Sequence, residues 1–170
     1  NSAEQKSVRI PVMVRESYTI EMWLKTTQTQ GSGGWWNGAG LVDGEMPGGV
    51  ADFGVALVGN KFANGSGPSG NTLNSTTAIN TGEWIHCVAS RDMATGTCKV
   101  YINGHLENTS TADAGVYKNV PDYLTIGKIR ANSNYFNGAL DEIKIYNYAM
   151  SDLEVAAQYV SYVPDRKSVV

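Results

Sequence analysis

Two adjacent tryptophans followed closely by two carboxylates form the first stretch with the residue types of a binding site. Within GSGGWWNGAGLVDGE, residues 31–45, the candidates are Trp35, Trp36, Asn37, Asp43 and Glu45. An indole ring stacks on a flat apolar surface, and amide or carboxylate oxygens accept hydrogen bonds from hydroxyl groups. Adjacent side chains in an extended backbone point in opposite directions, so we expect at least one tryptophan to pack inward. The stretch predicts either a binding loop or a structural plug.

The two carboxylates of this stretch raise the question of catalysis. Asp43 and Glu45 are two residues apart and share a face if the stretch is a strand. Glycoside hydrolysis needs one carboxyl group that donates a proton and a second that attacks or activates water. No third acidic residue continues the alternation, since Leu41 precedes the pair and Pro47 follows it, and any two alternate acidic residues have this spacing. We interpret the pair as hydrogen-bonding or metal-coordinating residues, or as a solvated strand end.

Histidine and cysteine offer no stronger sign of an enzyme. The chain has two histidines, His86 and His105, whereas zinc takes about three or four nitrogen or sulfur ligands. We expect His86 to be a packed or sheet-surface residue. No serine or cysteine occupies a nucleophile elbow. The sequence therefore predicts a protein that is not an enzyme.

The two cysteines lie on two strands that are joined by the turn DMATGT. If Arg91 faces Cys98 in this hairpin, then Cys87 faces Ile102, and the sulfurs are separated by roughly 13 Å along the strands. A disulfide needs Cα atoms within about 7 Å. We predict two buried free thiols.

Strand signals recur along most of the chain and position these candidates. Segments rich in β-branched and aromatic residues alternate with turn residues, and the strands are predicted at 7–14, 18–25, 39–44, 51–58, 71–76, 83–91, 97–106, 123–128 and 138–146. In the first, Val8, Ile10 and Val12 form one face of an edge strand, where Pro11 is tolerated. In the second, apolar and mixed residues alternate, which predicts a half-covered antiparallel strand.

One helix is predicted, over 151–159. Ser151 and Glu154 have the spacing of a capping box, and Leu153, Ala156, Ala157 and Val160 form one stripe. Together these elements predict an all-β fold, a sandwich of two antiparallel sheets with one short C-terminal helix. We place a single domain at residues 1–163 and a linker or tail at 164–170.

Charge and composition exclude several partners. The net charge is -3, and no cluster of Lys and Arg provides the positive field that nucleic acid or an anionic membrane requires. No apolar run approaches the roughly 20 residues of a membrane span. Glycine supplies 19 of 170 residues, a loop-rich composition that favours an extracellular or cell-surface β module.

Three motifs together resemble a known family. They are Gly-Glu-Trp-x-His at residues 82–86, Tyr-x-Asn-Gly at 101–104, and Phe-Asn-Gly-x-x-Asp-Glu-x-x-x-Tyr at 136–146. In order and spacing, residues 18–160 resemble laminin-G-like members of the concanavalin A-like lectin/glucanase superfamily. The resemblance implies a jelly-roll, usually a non-catalytic module attached to a secreted hydrolase, an adhesin or a surface protein.

The resemblance also implies a ligand and an ion. We expect a lectin-like module that binds a glycan or polysaccharide within a larger multidomain protein; the alternatives are an adhesion module that binds protein and a glucanase-like domain. Asn134 and Tyr135 are expected to join the tryptophan stretch in contacts to a sugar. In related jelly-rolls the aspartate of the last strand meets structural Ca²⁺, and Asp141 matches that position. Alternatively, Asp141 or Glu142 pairs with a neighbouring lysine or caps a turn.

Overall fold

The computed structural model describes residues 5–48, 51–67, 71–111, 114–117 and 121–167. These residues form eleven strands and one α-helix: β1 (Val8–Pro11), β2 (Tyr18–Lys25), β3 (Ala39–Asp43), β4 (Phe53–Val58), β5 (Lys61–Ser66), β6 (Asn71–Ala78), β7 (Ile85–Arg91), β8 (Thr97–Ile102), β9 (His105–Thr111), β10 (Tyr123–Ile126), β11 (Ala139–Tyr146) and α1 (Asp152–Lys167).

The strands build two antiparallel sheets. One has six strands in the order β1-β10-β3-β4-β5-β6, and the other has five in the order β11-β2-β7-β8-β9. Their inner faces enclose a common core to which β2 contributes Tyr18, Ile20, Met22 and Leu24, each completely buried. The predicted all-β sandwich with one C-terminal helix is confirmed.

The strand predictions missed the most polar elements. β5 has the sequence KFANGS, which lacks the β-branched run that marks a strand. β9, HLENTST, is also polar, and the segment predicted as one strand over 97–106 is instead divided by a turn at Asn103 and Gly104. Both residues have a positive φ, of 50° and 78°, which is the backbone conformation of a tight hairpin turn. β1 lies at a sheet edge as predicted.

The hairpin register confirms the prediction for the cysteines. Arg91 pairs with Cys98, and Cys87 pairs with Ile102. Both cysteines are buried free thiols, and burial raises the pKa of each thiol. They act as small core residues.

The C-terminal helix has the predicted start but buries a different face. Ser151 Oγ accepts a hydrogen bond from the Glu154 N–H, and the Glu154 carboxylate accepts one from the Ser151 N–H, so the capping box is present. The predicted apolar stripe is wrong, because Leu153 is 84% exposed and Val160 64% exposed, whereas Val155 is fully buried. Val155 and Tyr159 occupy the face that packs on the five-stranded sheet.

The helix is also longer than predicted. It continues to Lys167, so the tail predicted at 164–170 begins inside a helix. Residues 168–170, like residues 1–4 at the start of the predicted domain, lie outside the described residues. Within the part of the chain that the structure describes, no helix is long and apolar enough to cross a membrane.

Candidate functional site

Two loops lie on the outer face of the six-stranded sheet. Along β4, Phe53, Val55 and Leu57 enter the common core, so the residues between them point outward. The loop before β3, residues 26–38, and the loop after β10, residues 127–137, cover this outer face. We call the pair the two-loop platform.

Trp35 anchors the first loop to the sheet. It begins a 3₁₀ turn, Trp35–Asn37, is 1% exposed, and packs in a cluster with Ala56, Val58, Ala63 and Ile129. Its indole lies against the backbone of the strands: a Cβ atom built on Gly65 of β5 would be 2.1 Å from Cγ of Trp35. The expectation that one tryptophan packs inward is confirmed, and Trp35 has almost no surface left for a ligand.

Trp36 is the exposed member of the pair. Its side chain retains 36% exposure, and its ring folds back over Gly34, where an added Cβ would be 2.3 Å from the indole. The Trp35 and Trp36 rings meet edge to face with centroids 6.5 Å apart. The indole of Trp36 is thus supported from within the protein while part of its surface faces solvent.

Hydrogen bonds join the two loops. Asn132 Nδ2 donates to the Trp36 carbonyl at 3.1 Å, and Asn134 Nδ2 donates to the Asn37 carbonyl at 3.2 Å. Near the base of the platform, Gln28 Nε2 donates to the Tyr135 carbonyl at 3.0 Å. The structure therefore brings the predicted residues Trp36, Asn37, Asn134 and Tyr135 onto one surface.

Asp43 is a buried structural residue and has no surface for the predicted contact with a ligand. It is completely buried, and its Oδ1 accepts hydrogen bonds from the backbone N–H groups of Glu45 at 3.0 Å and Arg130 at 2.7 Å. Its Oδ2 is buried without a hydrogen-bond partner. Burial raises the pKa of Asp43 to about 8, against the opposing effect of the two N–H donors. Asp43 fastens the second loop to β3.

Two further carboxyl groups lie beside Asp43. Glu45 is half-buried, and burial together with the nearby Asp52 raises its pKa. Asp52 Oδ2 accepts the backbone N–H of Met46 at 2.7 Å, and burial raises the pKa of Asp52 to about 6. Of the two predicted acidic contacts, Glu45 therefore retains some accessible surface and Asp43 does not.

Cations and aromatic rings extend the outer face beyond the platform. The guanidinium carbons of Arg9 and Arg130 are 4.6 and 4.5 Å from the centre of the Tyr123 ring, and Lys128 Nζ is 5.5 Å from the centre of the Tyr135 ring. These distances are within cation–π range. The sequence reasoning interpreted residues 7–14 as an edge strand and overlooked Tyr123 and Arg130 as neighbours of Arg9. Alternation along β1 places Arg9 on the face opposite to that of the core-facing Ile10.

The expected calcium ligand occupies a bulge on the other sheet. Asp141 is exposed, and its Oδ1 accepts the backbone N–H of Glu142 at 2.9 Å. Glu142 has a φ of 50° and lies 3.8 Å from Lys144, so both parts of the alternative, a capped turn and a lysine pair, are present. Among the described residues there is no group of three or more His, Cys, Asp or Glu that could hold a metal. One carboxylate fits only part of a calcium site, which takes about six to eight oxygen ligands, and calcium at Asp141 stays a prediction.

The outer face of the five-stranded sheet is covered by α1. His86 Nε2 lies 2.9 Å from Glu21 Oε1, and both side chains are buried. Trp23, 4% exposed, has its ring centroid 6.0 Å from that of Tyr159 on the helix. The prediction that His86 is a packed histidine is confirmed, whereas β2 is covered on both faces, contrary to the half-covered strand that we predicted.

A family model matches nearly the whole chain. The model, a laminin-G type described as concanavalin A-like lectin/glucanases superfamily, matches residues 3–156. Among proteins of curated function, no match to the chain is found.

Solved structures with the same fold come from several bacterial proteins. The binding domain of Paraclostridial mosquitocidal protein 1 is 17% identical with a TM-score of 0.67, over 95% of this chain and 42% of that one. Domain 4 of AbnA, an extracellular GH43 arabinanase from Geobacillus stearothermophilus solved with arabinotriose, is 24% identical with a TM-score of 0.67, over 89% and 71%. The botulinum neurotoxin type G receptor binding domain is 12% identical with a TM-score of 0.65, over 95% and 41%.

The coverage shows how much of these structures the chain represents. It spans about two-fifths of the mosquitocidal and botulinum structures and most of the arabinanase domain. At these identities the likeness shows the fold: a β-sandwich shared with domains of larger proteins.

Proposed function

The chain belongs to the concanavalin A-like lectin/glucanases superfamily, and from that membership we propose that it is a non-catalytic carbohydrate-binding module of a secreted or cell-surface protein. The observation that carries the proposal is the supported, partly exposed indole of Trp36 on the two-loop platform. Membership alone does not decide between binding and catalysis, because one fold hosts both.

The platform has the chemistry of a sugar contact. A pyranose or furanose ring presents an apolar C–H face that stacks on indole, and its hydroxyl rim needs hydrogen-bond donors and acceptors. Trp36 supplies the stacking surface. Asn132 lies exposed beside it, and the half-buried Tyr135 adds a second ring. Because the inter-loop hydrogen bonds hold these residues in place before a ligand arrives, little ordering cost is added on binding.

Burial of Asp43 supports a non-catalytic role. A glycosidase acid or base must reach the glycosidic bond of its substrate, and Asp43 has no exposed surface. Glu45, the other predicted carboxylate, is two residues from the buried Asp43, so the two do not form a pair of accessible carboxyl groups. Asp43 therefore belongs to the structural base of the platform, which is consistent with a domain that binds a polymer and leaves it intact.

Likeness to domain 4 of an extracellular arabinanase, solved with arabinotriose, supports a glycan ligand and a location outside the cell. A single platform with one main stacking residue favours weak affinity, on the order of micromolar to millimolar. Repeated modules in a parent protein would raise the avidity without new contacts.

A glycan array combined with retention on insoluble polysaccharides tests the proposal. We expect saturable retention on at least one polymer and no release of reducing sugar from it. Reducing-sugar release from a bound polymer would overturn the non-catalytic assignment. Absence of retention on every glycan, with a folded protein, would contradict the carbohydrate assignment and favour an adhesion module that binds protein.

A further inference from the structure

Arg9, Tyr123 and Arg130 form a compact group at the β1-β10 edge of the six-stranded sheet. In this pair of strands Arg9 is opposite Thr125 and Pro11 is opposite Tyr123. The intervening Ile10 and Leu124 face the core, so Arg9 and Tyr123 share the outer face. Both guanidinium carbons lie within 4.6 Å of the centre of the same phenol ring.

Among the described residues, carboxylates offset the charge of Arg130 more than that of Arg9. Glu45 lies near enough for the Arg130 charge to oppose the rise in the Glu45 pKa. Arg130 Nη2 is 3.4 Å from Asp122 Oδ1, and the Asp122 side chain is 82% exposed, so this contact is long and open to water. Among residues that the structure describes, Arg9 has no ion pair, and its guanidinium group lies over the Tyr123 ring. The Arg130 Nε is buried and has no hydrogen-bond acceptor. The Arg130 side chain is 18% exposed, whereas Arg9 is exposed, so the N–H groups of Arg9 are the donors that a ligand reaches first.

Arg130 connects this group to the platform. It belongs to the second loop, its backbone N–H is fixed by Asp43, and the Asn132 side chain two residues later donates to the Trp36 carbonyl. The guanidinium group and the exposed indole are therefore held by one hydrogen-bonded loop pair. Arg130 and Trp36 therefore lie on the same outer face of the sheet, and we expect an oligosaccharide that follows this face to contact both.

We propose that Arg9, Tyr123 and Arg130 form a subsite for the carboxylate of an acidic sugar. The planar guanidinium fork matches a carboxylate through two parallel hydrogen bonds, and the Tyr123 ring limits the orientations of both arginines. The chain as a whole is negatively charged, with a net charge of -3, so nonspecific attraction of polyanions is not expected. The proposal rests on the proposed function and names the ligand class of that site.

Titration with matched pairs of oligosaccharides tests the subsite. One pair is an oligogalacturonate and its carboxyl-reduced counterpart; a second is a sialylated oligosaccharide and its carboxyl-reduced form; a sulfated oligosaccharide is a separate arm. The variants are Arg9→Gln and Arg130→Gln, with Lys25→Gln as the control, because Lys25 is an exposed cation at the end of β2 on the other sheet. Thermal melts accompany each titration.

We expect at least one acidic sugar to bind with an affinity about tenfold or more above that of its reduced counterpart. One charge-assisted hydrogen bond produces a change of this size. Arg9→Gln, at the exposed arginine, removes this preference at unchanged Tm, and Arg130→Gln removes it in a protein that is still folded at the titration temperature, while Lys25→Gln retains it. The pair of oligosaccharides that shows the preference identifies the class of acidic sugar, a uronic acid or a sialic acid, that the subsite binds.

Four outcomes would overturn the subsite. Equal binding of acidic and reduced sugars, or an unchanged preference in both arginine variants, would leave the carbohydrate function intact and remove the subsite. Binding confined to the sulfated arm would replace the carboxylate by sulfate and contradict the proposal as stated. Failure to bind any saccharide would contradict the proposed function itself, together with the subsite.

Discussion

The backbone N–H of Arg130 donates to Oδ1 of Asp43 across 2.7 Å, although the two residues are 87 positions apart in the chain. This bond fixes the second loop of the platform to β3 from beneath. The Asp43 carboxyl group that accepts this bond is completely buried. The position of the two-loop platform therefore depends on an ionisable group that has no exposed surface.

Stability is expected to depend on pH through Asp43. In the folded chain this carboxyl holds its proton up to about pH 8, against a usual pKa of 3.8. The folded state thus binds more protons than the unfolded state between these values, and the free energy of unfolding falls as pH rises from about 4 to 8. Asp43→Asn, which is neutral at every pH, should flatten this decline and raise Tm at pH 8.

Melting curves between pH 5 and pH 8.5 measure the effect. Asp122→Asn is the control, because Asp122 is 82% exposed and its removal leaves the slope unchanged. A slope in Asp43→Asn as steep as in the wild type would show that Asp43 ionises without penalty.

The contact between Gly65 and Trp35 gives a second prediction. Since a Cβ on Gly65 would be 2.1 Å from the Trp35 indole, Gly65→Ala forces the ring off the sheet and costs about 1–3 kcal/mol in the free energy of unfolding. Trp35→Ala, which empties a buried site, costs about 3–5 kcal/mol. Denaturant unfolding of both single variants and the double variant measures the coupling. Once Trp35 is removed, Gly65→Ala should cost little; additive losses would disprove the contact.

The buried face of α1 gives a third prediction. Val155 is fully buried and Leu153 is 84% exposed, so Val155→Ala should lower the free energy of unfolding by about 2 kcal/mol. Leu153→Ala should change it by less than about 0.5 kcal/mol. The reverse order, measured by denaturant unfolding, would restore the stripe that the sequence predicted.

Calcium at Asp141 is a proposal with a direct test. An ion that binds only the folded chain stabilises it by about 2.7 kcal/mol at a hundredfold excess over its Kd. Chelation is expected to lower the Tm of the wild type by several degrees and to leave Asp141→Asn unaffected. Identical melting of the wild type with and without chelator would remove calcium as a tightly held ion.

The sequence predicted those parts of the fold that local chemistry determines. β2 was predicted at its observed bounds, Tyr18–Lys25, because alternation over eight residues is a strong signal, and the capping box marked the start of α1. β5 was missed because KFANGS carries no such pattern. The choice of buried helix face also failed, since Tyr159 stacks on Trp23, a partner on a different element that helical periodicity alone does not reveal.

The candidate site was predicted in part for similar reasons. The expectation that Asn134 and Tyr135 join the tryptophan stretch agrees with the hydrogen bonds that connect the two loops. Two features depend on the strand register between β1, β10 and β3, which no short motif encodes. They are the burial of Asp43 and the contact of the Arg9 guanidinium group with the Tyr123 ring. Gly54 and Gly65 carried a usable signal, because glycines directly opposite each other on neighbouring strands leave room for a large ring.

The exposed indole of Trp36 carries the proposed carbohydrate binding, and saccharide titration of Trp36→Ala tests that role most directly. The matched control is Tyr148→Ala, which removes an aromatic side chain of comparable exposure, 42% against 36%, elsewhere on the molecule. With a polysaccharide fragment that the wild type retains, Trp36→Ala should lose binding by about tenfold or more, the loss typical of one stacking side chain, and should melt within a few degrees of the wild type. Unchanged saccharide affinity in folded Trp36→Ala would contradict the assignment of the two-loop platform as the binding surface.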